Sequence, residues 1–165
     1  MMKILLDADA SIKLTKIGII ESFASGFHVI LTREVYEEQV TAGLKRNLDD
    51  AKRMEKFVSD GIITVAKKRD RPDVCENSRL GKGEKSVINH YLANDIDLIV
   101  SDDEAFLKVL DANEIPFIPV AGVILMCMQK GIITRDESFK YLEMLSPMIR
   151  DENMHYVKSK IEGFL

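Results

Sequence analysis

The strongest constraint on this chain is an alternation. Short, largely apolar runs at residues 3–6, 28–31, 62–65, 98–100 and 116–119 are separated by longer stretches whose apolar residues recur at helical spacing. Runs of this length suit strands buried on both faces, and the longer stretches suit amphipathic helices. Strands that alternate with helices imply an α/β fold, a parallel sheet with helices on both faces, because parallel neighbours need a crossover. Such crossovers are right-handed. Ligands bind such sheets beyond the carboxyl ends of the strands, where strand order reverses. Candidate chemistry is therefore sought among residues that follow strands.

Punctuation marks divide the helical stretches. Residues 10–24 place Ile12, Ile17, Ile19, Ile20 and Phe23 on one side, with Gly18 expected to split the run into two helices. Thr32 is a predicted N-cap for a helix carrying Val35, Tyr36 and Val40 and ending near Gly43. Residues 48–58 read as a helix stopped by Asp60-Gly61, and residues 67–79, with Arg71-Pro72-Asp73, as a polar loop. Helices are expected over 81–94 and 104–113, then three more over 121–165 with breaks near Gly131 and Pro147. A length of 165 residues suits a single domain. Residues from about 134 onward read as a helical extension of it.

Charge and cysteine usage narrow the setting. The net charge of −4 lacks the excess of Lys and Arg that marks a strongly basic nucleic-acid binder. A local basic patch or a divalent cation can still reverse the field locally. Cys75 and Cys127 have no metal-ligand spacing and read as reduced thiols. The first apolar run reaches Asp7 too soon for a signal peptide, and the run at 120–128 is too short to span a bilayer. A cytoplasmic, membrane-free protein is expected.

Two strands end in acids: Asp7 follows the first, and Asp102-Asp103 follow the fourth. If these strands are neighbours, their carboxylates meet at one sheet edge. Glu37 and Glu38 on the helix after the second strand, and Glu84 in the first turn after Gly81-Lys82-Gly83, can reach the same edge. Carboxylates sharing a site repel one another unless a cation is present. Hard oxygen donors without His or Cys favour Mg²⁺ or Mn²⁺, which activate water and neutralise charge on a phosphoryl group. Each acid alone also has a plainer reading, as helix cap or solvated face. Lys13, Lys16, Arg69, Arg71, Arg79, Lys82 and Lys85 could hold a phosphate backbone, but most fit an ordinary charged surface. Gly81-Lys82-Gly83 lacks the spacing of a phosphate loop. His28, His90 and His155 show no metal or triad spacing, and Met126, Met128, Met144 and Met148 suit a core or a subunit interface.

These acids resemble the motifs of the PIN domain, a nuclease family that includes VapC-type toxins. Leu5-Leu6-Asp7-Ala8-Asp9 resembles the family's opening strand, Val35-Tyr36-Glu37-Glu38 its second motif with the later Glu as ligand, Gly81-Lys82-Gly83-Glu84 its third, and Val100-Ser101-Asp102-Asp103 its fourth. The resemblance runs from residue 3 to about 133. It implies a three-layer α/β/α sandwich of Rossmann-like topology with about five parallel strands. It also implies one or two Mg²⁺ or Mn²⁺ ions and endoribonuclease activity. Asp7, Glu38, Glu84 and Asp103 would be the metal-site and catalytic acids, Asp102 a neighbour that assists as a metal ligand, and Asp9 and Ser101 supporting residues. An RNA substrate and an antitoxin protein are the implied partners; the C-terminal helices, longer than in the most compact toxins, are expected to support a homodimer or cover the site. One departure is that Lys85 and Ser86 follow Glu84 where many toxins carry a further acid.

Two alternatives remain open at this point. Asp7-Ala8-Asp9-Ala10-Ser11 is also similar to the Asp-x-Asp opening of haloacid-dehalogenase-like phosphatases, with Asp7 as nucleophile, Asp9 as acid/base and Thr32 as the strand-ending Thr. The absence of room for a flap after Asp9 speaks against it. A PIN-like module that binds RNA or protein without cutting is the other.

Overall fold

A computed structural model of the chain describes residues 1–67 and 79–164. The segment expected as a polar loop, with Arg69, Arg71 and Cys75, lies almost wholly outside the described residues. The strands are β1 (Lys3–Leu6), β2 (His28–Leu31), β3 (Thr64–Val65), β4 (Leu98–Val100) and β5 (Phe117–Ile118). They form one parallel sheet in the order β3-β2-β1-β4-β5. Helices cover both faces, giving a three-layer α/β/α sandwich. The third strand is shorter than the apolar run at 62–65 suggested, because only Thr64 and Val65 pair with β2. Both outer strands are two residues long, which limits the unpaired edge.

The central strands are apolar because both of their faces are covered. Ile4, Leu5, Leu6, Val29, Leu31, Ile99 and Val100 are fully buried. Burying one such side chain contributes roughly 1.5–3 kcal/mol, so strand β1 alone anchors much of the core.

Helices α1 (Ala8–Ile17) and α2 (Ile20–Gly26) are separated at Gly18, whose φ of +79° is a left-handed cap conformation that favours glycine. Next come α3 (Arg33–Tyr36), a π-helical segment (Glu37–Thr41), α4 (Ala42–Lys45) and α5 (Asp49–Ser59). Thr32 caps α3 as expected, its hydroxyl accepting from the Val35 N–H at 3.2 Å. The π segment departs from the regular helix expected there. It leaves buried Gln39 with neither amide atom hydrogen-bonded. Such one-turn expansions recur at functional sites.

Helices α6 (Lys82–Ala93) and α7 (Glu104–Ala112) follow β3 and β4. Right-handed crossovers put them on the face opposite α1, α2 and α5, since the chain now moves across the sheet in the other direction, and α6 also packs against α3. The chain ends in α8 (Val120–Gln129), α9 (Arg135–Leu145), a 3₁₀ turn (Ser146–Met148) and α10 (Asp151–Glu162). Helix α9 packs on α1 and α8, and α10 on α8 and α9. Leu142, Leu145, Val157 and Ile161 of these last helices enter the common core. Met128 is core, whereas Met144 is exposed. No helix among the described residues is long and apolar enough to cross a membrane.

Candidate functional site

Strand β1 lies between β2 and β4, so the order in which successive strands are added reverses at the β1–β4 junction. The register pairs Leu6 with Val100, which sets Asp7 level with Ser101 just beyond the strand ends. The backbone continues the ladder there, with the Asp7 N–H donating to the Val100 carbonyl at 3.3 Å.

Asp7 is the N-cap of α1. Its Oδ1 accepts from the Ala10 N–H at 2.7 Å, and its Oδ2 accepts from the Ser101 hydroxyl. An ordinary capping Asp sits in water, but Asp7 is only 5% exposed. Burial pushes its carboxyl up to about 7, against the two hydrogen bonds; the charges of Asp9 and Asp102 push the same way. Ser101 is fully buried, and besides donating to Asp7 it accepts from the Asp103 N–H at 3.1 Å. One hydroxyl thus links the two acidic strand ends.

Asp103 is exposed and N-caps α7, with Oδ1 accepting from the Phe106 N–H at 2.8 Å. The plainer reading of both Asp7 and Asp103 as helix caps is therefore true. In Asp103 it uses one oxygen only, and Oδ2 has no hydrogen-bond partner among the described residues. Glu84 is half-buried in the first turn of α6, where it accepts from the Gly81 N–H at 3.1 Å. Its carboxyl is raised by burial and then by the charges of Asp103 and Glu38, despite that bond. Glu84, Asp103 and Glu38 are thus within electrostatic reach of one another. Glu38 leans over α6: a Cβ added at Gly83 would stand 2.5 Å from its Oε2. Glu37 and Glu38 are both exposed on the π segment.

Asp102 is placed differently. Its Oδ1 accepts from the Val120 N–H at 2.9 Å and its Oδ2 from Lys13 Nζ at 3.0 Å. Asp9, on the exposed side of α1, pairs with the same Lys13 at 2.7 Å. Burial works against the Lys13 charge, but the two carboxylates outweigh it and raise its pKa. The contact of Lys13 with Asp102, 89 residues away, leaves no trace in local sequence.

A second link fixes the edge. Thr32 Oγ1 and Ser86 Oγ stand 2.6 Å apart, and Ser86 also donates to the Gly83 carbonyl at 2.6 Å. This chain of hydroxyls ties the start of α3 to the first turn of α6, and so ties the segment bearing Glu38 to the one bearing Glu84.

A family profile described as PIN domain matches residues 3–165. The chain belongs to the PIN domain family. The match includes the helices after residue 133. No curated protein sequence matches the chain. Among solved structures, it is similar to a PilT N-terminus domain protein from the hyperthermophilic archaeon Sulfolobus solfataricus P2. That protein is 14% identical over 77% of this chain and 94% of its own, with a TM-score of 0.49. Family membership displaces the phosphatase alternative, and the geometry agrees: Ala8 already begins α1, and Asp7 is engaged on both oxygens.

The PIN domain's acids form two adjacent groups joined by Ser101: Asp7 with Asp9 and Asp102, and Asp103 with Glu84 and Glu38. Among the described residues, no three His, Cys, Asp or Glu side chains already stand as a metal-holding group. The donor chemistry nonetheless fits a hard divalent cation. All the donors are carboxylate oxygens, and two of the acids are held above their ordinary range by burial, an imbalance that a cation relieves.

Proposed function

We propose that this PIN domain is a divalent-metal-dependent ribonuclease that hydrolyses RNA phosphodiester bonds at the β1–β4 edge. The observation that carries this reading is Asp7, a capping carboxylate buried at the switch point and pushed up to about 7 beside a second acidic strand end. Burial of a carboxylate without a compensating charge is unfavourable, and a helix cap does not require it. The family, whose members are typically nucleases, supports the same reading.

Asp7, Glu38, Glu84 and Asp103 would hold Mg²⁺ or Mn²⁺. Bound there, the cation supplies an activated water and neutralises charge developing on the phosphoryl oxygens. Ser101 orients Asp7 and fixes the Asp103 backbone. Asp102, with both oxygens engaged, braces the β4–α7 turn against α1 and α8, and Lys13 balances its charge. The role of toxin in a cytoplasmic toxin–antitoxin pair is the finer form of this proposal. It rests on the motif resemblance.

The test is cleavage of single-stranded RNA with Mn²⁺ or with EDTA, by wild type, Asp7→Asn and Asp103→Asn. Mn²⁺-dependent cleavage by wild type, lost in both variants, is expected. Equal cleavage by the variants would overturn the assignment. RNA bound but left intact by wild type would instead favour the non-catalytic binding module.

A further inference from the structure

Gly83 is buried in the first turn of α6. A Cβ placed on it would meet Glu38 Oε2 at 2.5 Å and Glu38 Cδ at 3.7 Å, while Val35 Cγ2 at 3.6 Å is in ordinary contact. Real Cβ atoms do not approach another heavy atom to 2.5 Å. The Glu38 carboxylate therefore occupies space that only glycine leaves open.

What must give way is also defined. The backbone is pinned, because the Val35 N–H, Thr32 hydroxyl, Ser86 hydroxyl and Gly83 carbonyl form a continuous hydrogen-bonded chain across the same α3–α6 junction. The Glu38 carboxylate is the far end of a flexible side chain. A methyl group at residue 83 is accommodated by swinging that carboxylate away, not by parting the helices.

We propose that Gly83 is a positioning residue: the bare backbone of α6 at this point seats the Glu38 carboxylate beside Glu84, so that both face one cation. The proposal rests on the metal-site reading above. It separates two effects that usually move together. Alanine is a better helix former than glycine by roughly 0.5–1 kcal/mol, so Gly83→Ala should leave the fold intact or firmer. It should at the same time displace one carboxylate of the site. Loss of a group that orients a ligand typically weakens metal affinity by about 10- to 100-fold.

The experiment compares wild type, Gly83→Ala, Glu38→Gln, and Gly83→Ala combined with Glu38→Gln or Glu38→Asp. Mn²⁺ binding is followed by calorimetry on metal-free protein, alongside the midpoint of thermal unfolding in EDTA and cleavage of single-stranded RNA. The expected result is a midpoint for Gly83→Ala at or above that of wild type, with Mn²⁺ binding weakened by about tenfold or more. Gly83→Ala should add little once Glu38 is Gln. Glu38→Asp, whose shorter side chain withdraws from the added methyl, should recover part of the affinity in the Gly83→Ala background. Wild-type Mn²⁺ affinity in Gly83→Ala would overturn the positioning role while leaving the metal site standing. Additive losses from Gly83→Ala and Glu38→Gln would also overturn it. Failure of wild type to bind Mn²⁺ would overturn the metal-site reading and this inference with it.

Discussion

Replacing Asp7 with Asn should make the metal-free protein more stable at alkaline pH, against the usual outcome of changing a buried active-site acid. Asp7 titrates near 7 in the fold and near 3.8 when exposed. The folded state therefore holds its proton more tightly than the unfolded chain does. Below pH 3.8 the two states are equally protonated and there is no penalty. As pH rises from there to 7 the penalty grows, and above 7 it is complete. A shift of about three pKa units amounts to roughly 4 kcal/mol at pH 8, of which roughly 2–3 kcal/mol accrues between pH 5 and pH 8. Asn keeps an oxygen to accept the Ala10 N–H, so the cap on α1 survives. Ser101 can rotate to accept from the new amide. Urea unfolding of wild type and Asp7→Asn in EDTA at pH 5 and pH 8 measures the difference directly. The stability of Asp7→Asn relative to wild type should rise by roughly 2–3 kcal/mol between those pH values. A difference that is independent of pH would refute the argument, since no other replaced group titrates. Saturating Mn²⁺ should restore wild-type stability at pH 8 and leave Asp7→Asn little changed.

Other perturbations give distinct outcomes. Ser101→Ala removes the donor to Asp7 and the acceptor for Asp103, and should cost roughly 1–3 kcal/mol in urea unfolding while raising the Asp7 pKa further. Lys13→Met strands Asp102, whose side chain is only 10% exposed, and should cost roughly 1–3 kcal/mol; adding Asp102→Asn should restore part of that, a coupling visible in a double-mutant cycle. Cys127 is fully buried and its thiol is pushed up to about 12 by burial, so it should resist thiol reagents at pH 8 in the native state and react only on unfolding, as peptide mass spectrometry would show.

Much of the fold was legible because its causes are local. An apolar run of three or four residues fits a strand covered on both faces, and β1, β2 and β4 fall where those runs lie. Gly18 ends a helix because a left-handed cap favours glycine, and Thr32 begins one because its hydroxyl satisfies a free N–H. Edge strands were less legible: pairing across the sheet trims the apolar run at 62–65 to two residues. The π segment was not legible at all, because apolar spacing around Val35 and Val40 fits a regular helix equally well.

The candidate site divides in the same way. Sequence alone determined that Asp7 and Asp103 close strands and open helices, since Asp at those positions caps the following N–H groups. Only the tertiary structure decided that β1 and β4 are neighbours, which turns two separate caps into one acidic edge joined by Ser101. Only it buried Asp7, committed both oxygens of Asp102 to Lys13 and Val120, and laid Glu38 against Gly83. The physical reason is range. A cap or a helical period is written within a few residues, whereas desolvation and charge pairing depend on partners brought together from distant parts of the chain.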